Sequence, residues 1–191
     1  MKIFFISLMA VSVLFAAECS IEKNSLVTVN WTAFKTPAKA GVSGTFEGVE
    51  FKGKTRATSV AELLSGSEVE IETANVHSGN DGRDAKLVTF FFDVMHDKKI
   101  EAKILEASGD STKGKLVLEI AMNGVEKKVP MKYTIENNRL EAAGVIDLGD
   151  FNAINALESI NDACFELHQG KTWQDVNIGF GLNLKQHCKQ E

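Results

Sequence analysis

Four histidines and three cysteines are the residue types in this 191-residue chain most able to do chemistry, and their spacing argues against most of it. His77, His96, His168 and His187 lie far apart, and none belongs to a compact metal-ligating motif, so no metal site is expected. Cys164 and His168 stand four residues apart, which on a helix puts both on one face, the arrangement of a thiol nucleophile beside its base. Cys164 also continues an apolar stripe, however, and it is read as a small buried thiol in preference to a nucleophile. Glu68, Glu70 and Glu72 alternate with Val69, Ile71 and Thr73, the pattern of a solvated strand face rather than of a tuned acid and base. A Gly-x-Ser-x-Gly elbow is absent from the sequence. No catalytic residue is therefore assigned.

The amino terminus sets the context. Lys2 precedes an apolar run from Ile3 to Phe15, and Ala16 and Ala17 follow as small residues for a peptidase. This is the signal-peptide pattern, so residues 1–17 are expected to be removed and residues 18–191 to form one domain, periplasmic or otherwise exported. The run is too short to span a bilayer, which takes roughly 20 apolar residues, and no integral membrane segment is expected in the mature chain. Acylation of Cys19 would require a small residue where Glu18 stands. The formal charge of −5, with Lys and Arg scattered along the chain, gives nucleic acid no basic patch to bind. Cys19, Cys164 and Cys188 in an oxidising compartment allow one disulfide and one thiol left over.

Most of the remaining sequence alternates with period two. Val27, Val29, Trp31 and Ala33 point one way while Thr28, Asn30 and Thr32 point the other, and similar runs cover 100–104, 116–122, 129–135 and 176–184. Ser108-Gly109-Asp110, Asn123-Gly124 and Asn137-Asn138 separate several of them, and Asn-Gly predicts a tight two-residue hairpin. Many short strands in this rhythm predict an all-β domain, an antiparallel sandwich or barrel. Three segments break the period. Ser59 and Glu62 have capping-box spacing before a short helix ending near Gly66. Residues 83–93 predict a second helix, with Asp84 placed to cap it. Ile154, Leu157, Ile160, Cys164 and Leu167 form the stripe of a third, expected to lie against the barrel or close one end.

The segment Val29–Phe46, VNWTAFKTPAKAGVSGTF, resembles the opening of the YceI-like, polyisoprenoid-binding family. Ile71–Asp93 (IETANVHSGNDGRDAKLVTFFFD) is similar to that family's strand, polar turn, Arg-Asp pair and Phe-Phe-Asp run, and Met122–Lys132 (MNGVEKKVPMK) to its hairpin. The helix near 150–167 departs from the family's short Asp-Phe-Gly segment. The resemblance implies an eight-stranded antiparallel, lipocalin-like barrel with short helices near its mouth. Its tunnel would hold a long-chain isoprenoid or fatty-acid-like amphiphilic lipid, for transport, storage or isoprenoid metabolism, with no cofactor. Eight strands leave an interior that side chains fill or line around one ligand.

The lining residues named on this basis are Trp31, Phe34, Phe46, Phe90, Phe91, Phe92, Tyr133 and Phe180; without the resemblance they read as core packing. Three consecutive phenylalanines cannot share one face, so one should enter the interior while another meets the helix or solvent. Trp31 and Tyr133 carry polar tips suited to a head group. Asn80, Arg83 and Asp84 are further head-group contacts, or else an ion pair and a cap that fix their loop. Barrel closure would pair the first strand with the last, which favours a Cys19–Cys188 disulfide, with a bond to Cys164 as the rival. A barrel with a filled interior that works through its outer surface is the alternative reading, an enzyme acting on lipid a weaker one. Association into a homodimer is left open.

Overall fold

The computed structural model describes residues 19–23 and 26–188, and at 19–21 and 186–188 the backbone alone. The signal peptide read at residues 1–17 lies outside the described residues.

The alternating runs become one antiparallel sheet of twelve strands among the described residues. These are β1 (Cys19–Lys23), β2 (Thr28–Lys35), β3 (Ala40–Phe46), β4 (Glu50–Lys52), β5 (Arg56–Ala57), β6 (Glu68–Glu72), β7 (Val76–His77), β8 (Lys99–Gly109), β9 (Lys113–Met122), β10 (Val125–Glu136), β11 (Arg139–Asp147) and β12 (Thr172–Cys188). The order is β4-β6-β8-β9-β10-β11-β12-β2-β3-β7, with β1 pairing β12 and β5 off that path. Eight strands, β2, β3, β6 and β8 to β12, make the continuous run expected of the barrel. The count of eight is corrected by short additions: β4 and β7 extend the edges, and β1 with β5 forms a flap at one end. The path curls without closing, and its seam is drawn together where Glu47 N–H donates to Asn75 C=O at 3.0 Å.

Local chemistry sets the turns and register. Asn123 and Gly124 both adopt positive φ, 53° and 73°, and join β9 to β10 with Met122 opposite Val125, the two-residue hairpin predicted. Val29 sits opposite Phe180 and Phe46, and Trp31 opposite Ile178 and Gly44, so the inward residues of β12, β2 and β3 form level rows. A side chain at Gly44 would collide with the Trp31 ring at 2.5 Å, so only glycine lets that indole lie against β3.

Four α-helices complete the fold among the described residues. In α1 (Val60–Leu64) Ser59 Oγ accepts from Glu62 N–H at 3.1 Å, and Glu62 accepts in turn from Thr58. α2 (Asp81–Phe90) is capped by Asn80, whose Oδ1 accepts from Arg83 N–H at 2.8 Å. The cap expected from Asp84 is thereby corrected. Asp84 lies inside the first turn and reaches back to Ser78, whose N–H donates to its carboxylate at 3.0 Å. The third segment divides into a 3-10 turn at Leu148–Phe151, α3 (Ile154–Ala163) and α4 (Phe165–His168). α2 packs on α3 over one end of the barrel, while α1 packs on β8 near the other.

Candidate functional site

Period-two geometry gives each strand a row of inward residues, and following β2 from one end to the other traces the interior. Val27 and Val29 line a lower chamber of about 110 Å³, Ala33 and Lys35 an upper chamber of about 520 Å³, and Trp31 both. β12 repeats the sequence in reverse: Val176 lines the upper chamber, Phe180 and Leu182 the lower, and Ile178 both. Phe46, Ile100, Met122 and Ile146 are likewise shared. The shared residues form a waist where the two chambers abut.

The two ends differ in chemistry. Leu64 from α1 and Ser67, whose Oγ donates to Leu63 C=O at 3.1 Å, close the lower end. The upper end is roofed by Leu87 and Phe91 with α2, and by Leu157, Ile160, Cys164 and Leu167 of the third helical segment. Lys35, Arg83, Lys86, His168 and Asn80 stand in the same wall, and none of the residues lining this chamber is acidic. Burial, with Lys35 and Lys86 nearby, holds His168 below its ordinary pKa, which keeps it neutral near pH 7. Thr172 donates its hydroxyl proton to Asn161 Oδ1 at 2.8 Å, so at 2.7 Å it accepts from His168 Nδ1, which fixes the imidazole tautomer.

The phenylalanine run resolves as its geometry demanded. Phe92 is buried and meets Phe46 edge-on at 5.9 Å, Phe91 stacks edge-on against Phe92 at 5.1 Å and lines the upper chamber, and Phe90 is 38% exposed. Phe90 is accordingly removed from the lining. Phe34 reaches the upper chamber from its rim, where the Lys39 ammonium lies 5.1 Å from its ring centre. Tyr133 is also removed from the lining: it is 1% exposed, its ring lies over Gly114, and its hydroxyl donates to Asp110 C=O at 3.2 Å. That tip anchors the β8–β9 turn, and burial raises its pKa. Trp31 N–H is buried with no hydrogen-bond partner, a cost of about 1–3 kcal/mol.

The polar loop is a structural network that also borders the chamber. Arg83 Nε donates to Ser78 Oγ at 2.7 Å and its Nη2 to Ser78 C=O at 2.9 Å, while Asp84 lies 3.8 Å from His77 Nδ1. Arg83 and Asp84 thus meet through Ser78 instead of pairing directly. Asn80 and Arg83 face the upper chamber; Asp84 does not line it. The sequence reading missed Lys35, Lys86, His168 and Trp173, which converge from four elements. Trp173 closes the rim with its N–H donating to Thr36 C=O at 2.8 Å.

His168 Nδ1 is hydrogen-bonded to Thr172 Oγ1, and Cys164 is buried in the roof. Glu68 is bonded to Lys103 at 2.6 Å and Glu70 to Lys99 at 2.5 Å, which holds both carboxyls below their ordinary range as ionised surface groups. Among the described residues, no group of histidine, cysteine and acidic side chains could hold a metal ion, and no helix is long and apolar enough to cross a membrane.

The profile of a family described as YceI-like domain matches residues 21–184. No curated protein matches the chain. Among solved structures, a polyisoprenoid-binding domain from Saccharophagus degradans implicated in plant cell wall breakdown superposes with a TM-score of 0.61 at 12% identity, covering 91% of this chain and 100% of its own. Burkholderia cenocepacia BcnA gives 0.58 at 14% identity, covering 83% and 96%. A Campylobacter jejuni YCEI protein gives 0.56 at 17% identity, covering 100% of both chains. At these identities the likeness is one of fold.

Proposed function

The chain belongs to the YceI-like domain family, and from that membership and the tunnel geometry we propose that it is an exported, periplasmic protein holding a long-chain isoprenoid or similar amphiphilic lipid. Binding, not catalysis, is its activity, and carriage or storage of the lipid is the role that follows. One observation carries the reading: two abutting apolar chambers, plugged at one end and rimmed by Lys35, Arg83 and Lys86 at the other. A tail in the lower chamber and waist would meet Val29, Phe46, Leu118 and Phe180. Each methylene removed from water contributes roughly 0.8 kcal/mol before ordering losses, so affinity is set mainly by tail length.

The head group would remain in the upper chamber. With three cations, Asn80 and no acid in that wall, it is best matched by a phosphate or carboxylate, or by an oxygen-rich neutral head. Asn80 and Arg83 are retained as head-group contacts in this reading, and Lys35 and Lys86 are added. Trp31, Phe34, Phe46, Phe91, Phe92 and Phe180 are the proposed aromatic contacts. A barrel working only through its outer surface would require a filled interior, which the chambers argue against.

Mass spectrometry of an organic extract from gently purified protein tests the proposal. A long-chain amphiphile recovered at about one per chain is expected. An extract free of lipid, from protein that also fails to take up added long-chain lipid, would remove the reading.

A further inference from the structure

We propose that Cys19 and Cys188 form a disulfide that staples the first strand to the last at the plugged end of the tunnel. The inference rests on backbone placement and is independent of what the tunnel holds. β1 runs antiparallel to the end of β12, with Cys19 opposite Cys188, Ile21 opposite Gln186 and Lys23 opposite Leu184. Directly opposed residues of an antiparallel pair have Cα atoms about 4.5–5.5 Å apart, inside the roughly 4.4–6.8 Å that a disulfide spans. The opposite placement holds through all five paired positions, so it does not depend on a chance approach of two chain ends.

The third cysteine is excluded by distance. Cys164 is 8% exposed in the roof of the upper chamber, beside the beginning of β12, while Cys188 is at its end. At about 3.3 Å per residue the length of β12 separates those positions by on the order of 50 Å. A bond from Cys164 to either terminal cysteine would require the barrel to unfold.

The staple has a mechanical target. β1 is held on its other side by β5, with Ile21 opposite Ala57, and Lys23 N–H donates to Thr55 C=O at 2.8 Å. β5 leads directly into α1, the plug. Fixing β1 to β12 therefore fixes the segment that carries the plug. In forming the bond, the two thiols lose two protons and two electrons as one S–S bond is made. The electrons reduce the S–S bond of an oxidised exchange partner to two thiols.

The test uses the full chain retaining Cys19, reduced, equilibrated with oxidised glutathione, and digested without reduction after alkylation. A single linked peptide pair containing Cys19 and Cys188 is expected, two hydrogens lighter than the separate peptides, with Cys164 alkylated only after unfolding. The C164S variant should keep the link. Reductant should lower the melting midpoint of the wild type by roughly 5–10 °C and leave the C188S variant unchanged. Cys19 and Cys188 alkylated or glutathionylated separately, Cys19 found acylated, or either one joined to Cys164 would each overturn the proposal.

Discussion

The plug and the lid are built from similar material and do opposite things. α1 has five residues, and Leu63 and Leu64 are each only 1% exposed, pressed into the lower end of the barrel. α2 has ten residues, yet none is fully buried, and Leu87 and Phe91 face open volume. Across the same lid, Leu167 lines the chamber and is still 63% exposed. An apolar helical face specifies that something must cover it, not what. Where neighbouring side chains fill the space, packing contacts accumulate and the element becomes core; where they do not, the same kind of surface borders open volume.

The largest effect should come from cutting the plug. Leu64→Ala is expected to destabilise the fold by about 2–5 kcal/mol, whereas Leu157→Ala in the lid should cost less than about 1.5 kcal/mol, because its neighbours already border empty volume. Denaturant unfolding of both variants measures the contrast, and equal losses would erase it. Ala102 lines the lower chamber, so Ala102→Phe should occupy it from within. Binding of the longest lipid tail should then weaken by about tenfold or more while a short tail is held within about twofold, read by titration. Tyr133→Phe removes one hydrogen bond at the plugged half and should cost about 1 kcal/mol of stability with lipid affinity unchanged, which separates Tyr133 from the tunnel wall.

The smallest effect concerns acid. His168 has a folded pKa below its unfolded value, so the unfolded chain takes up the proton first. Its contribution is complete above about pH 6.5 and is lost as pH falls from there through the lowered folded value. Protonation also adds a third positive charge beside Lys35 and Lys86. The protection of α4 against hydrogen exchange, taken relative to the intrinsic exchange rate at each pH, should therefore fall below about pH 6.5, while the protection of α1 stays constant over the same interval. A parallel loss of protection in both helices would mean that the lid does not open separately from the plug.

The legibility of this molecule in its sequence follows the range of the interactions involved. Rows such as Val27-Val29-Trp31 and the Asn123-Gly124 turn are set by local backbone geometry, and they appear in the structure as read. The stripe Ile154-Leu157-Ile160-Cys164-Leu167 predicted an element against one barrel end, and its lid position agrees, though the stripe alone did not show a chamber beneath it. Phe90 and Tyr133 were misplaced because aromatic character does not specify depth. Phe90 turns outward at the end of a helix, and Tyr133 extends the inward row of β10 to a turn carbonyl. Lys35, Lys86, His168 and Trp173 were missed because they come together only when β2, α2, α4 and β12 converge. Asp84 and Asn80 were both credible caps, and the backbone bonds to Ser78 and Arg83 decided between them.

The central claim, that the unfilled tunnel selects a long apolar tail, is tested most directly by titrating a lipid series with one head group and increasing tail length against the wild-type chain. Affinity should rise with each added isoprene or pair of methylenes and level off once the lower chamber is filled, with the plateau arriving at a shorter length in the Ala102→Phe variant. The same affinity at every length, or no saturable binding at all, would contradict it.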